Sequence, residues 1–169
     1  MSSSTPDTVG DSRHDFDFIF GDWEISNRKR RDSTDPSCEE WVEFATTSHT
    51  EPIFGGLSHL EHIYAGAETP GGAWEGLTLR QLDPVDGQWR IWWSSTRRPG
   101  HVDPPLSGRF AEGRGVFLGD DVLGGRPVRL RFTWTSPAPD RARWTQELSW
   151  DDGATWRLDW VMDFVRAGS

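Results

Sequence analysis

The chain has 169 residues, 34% hydrophobic and 27% charged, enough for one domain with a real core and too few for two. A net charge of −9 argues against a nucleic-acid partner, whose phosphates ask for a basic surface. No apolar run approaches the ~20 residues of a membrane-spanning helix, and the start lacks the basic and apolar regions of a secretory signal.

The single Cys38 has no internal disulfide partner, which fits a reducing, cytoplasmic setting. One lysine stands against seventeen arginines, a bias expected of a GC-rich bacterial genome. Eleven tryptophans are the unusual number. Used this heavily, a large ring with one N–H donor fills a wide interior or lines an aromatic pocket.

Residues 1–12 are rich in Ser, Thr, Asp and Gly and read as a disordered tail, leaving 13–169 as one domain. Residues 13–20 predict a short helix or turn whose Phe16, Phe18 and Phe20 plug one end of a barrel. Strands follow. Residues 23–31 set Trp23, Ile25 and Asn27 against Glu24, Ser26 and Arg28, and 39–49 are rich in Trp, Val, Phe and Thr. In 58–65, Leu60, His62 and Tyr64 form the apolar face, opposite His59, Glu61 and Ile63. A register shift would turn Glu61 and Ile63 inward instead.

Residues 74–82 lead through Asp86-Gly87 into 88–96, with Trp89, Ile91, Trp93 and Ser95 on one face. A short strand spans 116–118. Residues 127–135 put Val128, Leu130, Phe132 and Trp134 together, and 142–150 do so for Trp144, Gln146, Leu148 and Trp150. Residues 157–166 align Leu158, Trp160, Met162 and Phe164 and end on Arg166.

The period is two nearly throughout, and Gly-rich turns recur between the runs. This predicts an all-β fold: a single up-and-down antiparallel barrel of about 8–10 strands, because closure removes exposed edges. A two-sheet sandwich satisfies the same alternation. The aromatic load favours the barrel, whose interior exceeds what small side chains fill.

Gly21-Asp22-Trp23 resembles the Gly-x-Trp that opens the first strand of lipocalins and their calycin relatives. That resemblance implies a tryptophan at the closed end with a late arginine stacked over it, here Trp23 and Arg166, a cation–π contact worth up to about 2 kcal/mol. Phe-Asp-Phe before Gly-x-Trp, Pro104-Pro105 with Gly108-Arg109-Phe110, Gln146, and the run from Trp156 to Arg166 together resemble a group of bacterial calycin-like proteins over residues 14–166. The resemblance implies a lipocalin-like barrel and carries no catalytic residue. It also leaves haem open as a guest, with His62, His49 or His101 as axial ligand. A hydrogen-bonded or surface histidine is the favoured reading of all three.

Ser149-Trp150-Asp151-Asp152-Gly153-Ala154-Thr155-Trp156 matches the Asp-box pattern of sialidase propellers, a structural hairpin brace in which Asp151, Gly153 and Trp156 fix the turn. The chain is too short for a propeller.

Metal chemistry finds little support. His59 and His62, three apart on a strand, point to opposite faces, and there is no His-x-His or Cys pair. Cys38 sits among carboxylates that raise a thiol's pKa, and neither a nucleophile elbow nor a phosphate loop is present. Acid–base groups remain: His62, Tyr64 and Glu61 are the candidate catalytic residues. Trp93, Ser95, Trp134, Gln146, Trp160, His62 and Tyr64 are the candidate ligand contacts. The long segment 96–106 brings Arg97, which suits a carboxylate, and His101 beside Asp103; pocket mouth and plain connection weigh equally for it.

The expected function is binding of a small, largely apolar or aromatic molecule in a Trp-lined cavity, without membrane or nucleic acid, and with a homodimer left open. The alternative is an enzyme of cyclase or isomerase type acting on a natural-product intermediate in the same cavity. A third reading is an interaction domain whose barrel is filled.

Overall fold

The computed structural model describes residues 12–168; most of the tail expected over 1–12 lies outside the described residues. Ten strands form a closed, fully antiparallel ring. They are β1 (Gly21–Arg30), β2 (Trp41–Ile53), β3 (Ser58–Ala65), β4 (Trp74–Leu82), β5 (Trp89–Ser95), β6 (Leu106–Ala111), β7 (Arg114–Leu123), β8 (Arg126–Ala138), β9 (Arg141–Ser149) and β10 (Arg157–Arg166). Each strand pairs with its sequence neighbours, and β1 pairs with β10 to shut the ring. Among the described residues no helix is long and apolar enough to cross a membrane.

Two strands differ from expectation. β6 falls in a stretch that carries no clear alternation, because Gly108 takes an inward space where a side chain would collide. A Cβ there would lie 1.9 Å from the Val116 carbonyl oxygen. β7 runs far beyond 116–118, since Gly119, Asp120 and Asp121 hide its period. The β6–β7 turn has Glu112 and Gly113 both at positive φ (54° and 75°), the geometry that follows the twist of a two-residue hairpin.

Of the short helix or turn expected over 13–20, the structure has the turn form. The segment before β1 is a series of turns ending in a single 3-10 turn, Asp17–Ile19. Three residues between turns cannot complete the hydrogen-bonded stretch an α-helix needs. Its aromatics still enter the barrel. Phe16 is fully buried, with its ring centroid 4.9 Å from Phe110, 5.1 Å from Trp89 and 5.8 Å from Phe117.

Beside it, Trp23 is buried and donates from Nε1 to the Ile19 carbonyl at 2.9 Å. Trp23 and Arg166 are direct cross-strand partners in β1 and β10. The guanidinium carbon lies 4.2 Å from the ring centroid, and the same group donates to the Phe20 carbonyl at 2.7 Å and the Phe18 carbonyl at 3.1 Å. One cation thus ties the entering chain to the last strand. The packed core occupies this closed end, and the opposite end is hollow.

Candidate functional site

The hollow is an internal cavity of about 180 Å³. Every strand but β2 contributes to its lining, with Lys29, Glu61, Arg80, Trp93, Trp134, Gln146 and Trp160 among the residues that face it. Its aromatic wall is braced edge to face: Phe132 and Trp144 are 5.0 Å apart, Trp144 and Trp160 5.5 Å, with interplanar angles of 67° and 81°. Trp160 is fixed by its Nε1 donating to Asn27 Oδ1 at 3.0 Å, and Asn27 in turn donates to Thr46 Oγ1. Trp93 lies flat across β4, where an added Cβ at Gly76 would come within 2.1 Å of its ring. The glycine is what lets the indole form a wall.

The floor is ionic. Arg80 Nη2 donates to Glu61 Oε1 at 2.6 Å, and the two side chains are 1% and 2% exposed. The arginine is held between two rings, 5.0 Å from the centroid of Phe16 and 5.1 Å from that of Trp134. Arg80 Nε and Nη1 and Glu61 Oε2 have no hydrogen-bond partner among the described residues. A buried polar atom left so costs about 1–3 kcal/mol.

The mouth is polar. Asp159, buried at the β9–β10 bulge, accepts from Gln146 Nε2 at 2.9 Å and from Ser33 Oγ at 3.0 Å. Lys29 Nζ donates to Ser33 Oγ at 2.6 Å. Burial, partly offset by Asp159 and reinforced by Arg97, holds the Lys29 amine below its ordinary range. The 96–106 segment reaches the cavity through Asp103 and Pro104, and burial, then Asp121, raises the Asp103 carboxyl. The connection between β1 and β2 leans over the same end: Ser33 is tied to Asp159, and Arg157 Nη2 donates to the Cys38 carbonyl.

The strand β3 corrects the sequence reading. His62 and Tyr64 stand on the outer wall, with Tyr64 50% exposed and His62 Nε2 2.9 Å from Glu75 Oε1. Glu61 and Ile63 face inward. The expected face looked apolar because Leu60 and Tyr64 are, yet the inner face carries a carboxylate that Arg80, across β4, neutralises. His62 and Tyr64 are therefore neither ligand contacts nor acid–base groups of the cavity, and of the candidate catalytic set only Glu61 reaches it.

Among the other candidates, Ser95 and Arg97 line a neighbouring outer compartment. His101 lines neither space; its Nε2 lies 3.2 Å from Asp103 Oδ1, and its carbonyl accepts from Ser94 Oγ. None of the three histidines weighed as haem ligands lines the inner cavity. His49 and His62 are exposed outside the ring and His101 lies off the cavity. Among the described residues no cluster of three or more metal-ligating side chains forms. The hairpin after β9 is braced by its own hydroxyls: Asp151 Oδ1 accepts from Ser149 Oγ at 2.7 Å and from the Thr155 N–H at 2.9 Å. Bonds from Thr155 and then Ser149 hold the Asp151 carboxyl down to about 2.

Sequence reasoning missed Arg80 and His59. His59 is fully buried beside Phe20 and Trp89, both at 4.9 Å between ring centroids. Burial first, and the Arg80 charge second, push its pKa down to about 3. The unfolded chain takes up that proton near pH 6.5, before the folded one can. Stability is therefore complete above that pH and lost as pH falls toward 3, at up to about 1.4 kcal/mol per pH unit. His49, raised above its ordinary value chiefly by its hydrogen bond to Asp22, works in the opposite direction on the exposed face. Urea unfolding of the wild type and His59→Phe at pH 7.5 and pH 5 separates them. The wild type is expected to lose about 2 kcal/mol more than the variant, and equal losses would refute a buried neutral His59.

No protein-family model matches the chain, and no curated protein matches it. The fold is similar to that of solved structures. Rv2717c from M. tuberculosis aligns with a TM-score of 0.58 at 9% identity, covering 97% of this chain and 99% of that one. The S-type phycobiliprotein lyase CPES from Guillardia theta aligns with a TM-score of 0.58 at 11% identity, covering 91% of each. A de novo designed fluorescence-activating β-barrel aligns with a TM-score of 0.47 at 14% identity, covering 89% of this chain and 94% of that one. At such identities the likeness to Rv2717c and the lyase is one of fold alone, a closed antiparallel β-barrel.

Proposed function

We propose that the chain binds a small, flat, largely aromatic molecule in the inner cavity. The observation that carries this reading is the cavity itself, about 180 Å³ walled by indole rings, with Arg80 Nε, Arg80 Nη1 and Glu61 Oε2 unpartnered among the described residues. A barrel built only to be filled would close this space with aliphatic side chains. A ligand that stacks on Trp144 and Trp160 while offering both an acceptor and a donor at its inner end satisfies the walls and the floor together. The ion pair at the floor is neutral as a unit, so the inner end of the ligand is polar without being strongly charged.

N-phenyl-1-naphthylamine, a neutral aromatic dye, tests this directly. Its emission is expected to rise saturably with stoichiometry near one, while tryptophan emission falls in parallel. Trp160→Ala should weaken binding about tenfold, in line with loss of one stacking wall worth roughly 1–1.5 kcal/mol. A linear, unsaturable response across a panel of aromatic dyes would overturn the proposal.

A further inference from the structure

A second compartment of about 330 Å³ opens beside the first and shares Lys29, Trp93 and Trp160 with it. Its character differs. Four basic side chains line it, Lys29, Arg30, Arg31 and Arg97, and no carboxylate does. Trp74 forms its back wall, with the Arg97 guanidinium 5.6 Å from the ring centroid.

Two of these cations are already engaged. Arg31 pairs with Glu40 at 2.6 Å, and Arg30 lies 3.5 Å from Glu39 and donates to the Leu158 carbonyl. The Arg97 guanidinium donates to the Pro70 carbonyl, at 3.3 Å, and forms no ion pair among the described residues. Lys29 is turned toward Ser33 with Asp159 behind it. A chain with a net charge of −9 thus concentrates positive charge at one aromatic recess that adjoins its internal cavity.

We propose that the ligand is an aromatic acid: its ring system occupies the inner cavity, and its carboxylate or sulfonate lies in the outer compartment between Arg97 and Lys29. The inference rests on the cavity-binding reading and adds the charge of the ligand and its orientation. The reverse orientation is disfavoured because Glu61 already neutralises Arg80 at the floor, whereas the outer compartment has cations without lining anions. An anionic group there would make charge-assisted hydrogen bonds with Arg97 and Lys29 and offset the burial that holds the Lys29 amine below its ordinary range. Trp93 and Trp160, common to both spaces, would hold the junction between ring and acid. Side by side, the two compartments fall within the ~300–1,000 Å³ range of small-molecule sites.

The test compares two dyes with one ring skeleton: N-phenyl-1-naphthylamine, which is neutral, and 8-anilinonaphthalene-1-sulfonate, which adds a sulfonate. Wild-type protein is expected to bind the sulfonate about tenfold more tightly at low salt, and 0.5 M salt should erode the preference. Arg97→Gln, a substitution at an exposed loop position, should lower sulfonate affinity five- to tenfold and leave the neutral dye unchanged, and Arg97→Lys should recover most of the loss. Equal affinities for the two dyes, or an Arg97→Gln effect of the same size on both, would overturn this proposal while saturable binding of the neutral dye upheld the cavity reading. Failure of both dyes to saturate would remove both.

Discussion

Arg80→Leu is expected to destabilise the barrel by about 3–5 kcal/mol, because it strands the Glu61 carboxylate in the interior. Among the described residues Glu61 forms no second ion pair: the pair with Arg80 is closed at 2.6 Å, and both side chains are sealed from solvent. Replacing both partners together, Glu61→Leu with Arg80→Leu, removes the stranded charge and should cost far less than Arg80→Leu alone. Urea unfolding of the two singles and the double gives the coupling energy. A double variant as unstable as the sum of the singles would show that the two side chains act independently, and would remove the ionic floor from the description of the cavity.

Phe16→Ala is expected to cost about 3–5 kcal/mol. The ring is completely enclosed and touches partners on six strands, His59, Arg80, Trp89, Phe110, Phe117 and Trp134. Nothing nearby can collapse into the space, since the aromatic partners are themselves rings held by strand pairing. The Arg80 guanidinium also loses one of its two aromatic faces, so the effects of Phe16→Ala and Arg80→Leu should not add. Acrylamide quenching supplies a second readout. Trp89 and Trp134 are buried in the wild type and should become more accessible once the closed end is breached. An unchanged midpoint with unchanged quenching would show that the segment before β1 is an accessory rather than a stopper.

The barrel was legible in the sequence because its signals are local. Period-two alternation in β1, β5, β8, β9 and β10 needs no knowledge of partners, and the Gly-rich turns mark where hairpins reverse. The Trp23–Arg166 stack was legible from order along the chain, by resemblance and not from spacing. The site was less so, and β3 shows why. Leu60, His62 and Tyr64 look like an inward face only while Glu61 is judged alone. The partner that makes Glu61 tolerable inside is Arg80, which pairs across with His59 and lies one diagonal from Glu61 on β4, and a charge pair of that kind leaves no periodic trace. Arg80 itself shares its buried face with Trp74, Thr78 and Leu82, while Leu77 and Leu79 stand on the opposite face, so 74–82 shows no clean apolar side. β6 was invisible for a different reason: Gly108 marks a close approach of backbones, and a missing side chain gives alternation nothing to register.

The pairing of β1 with β10 has a consequence for how the molecule is made. Every other strand contact joins neighbours along the chain, so hairpins can zip progressively as a ribosome releases them. The final seam cannot be sewn until Arg166 has emerged to meet Trp23. Until then the nascent sheet carries two raw margins and an uncovered indole-rich surface, the stage at which a chaperone would find it.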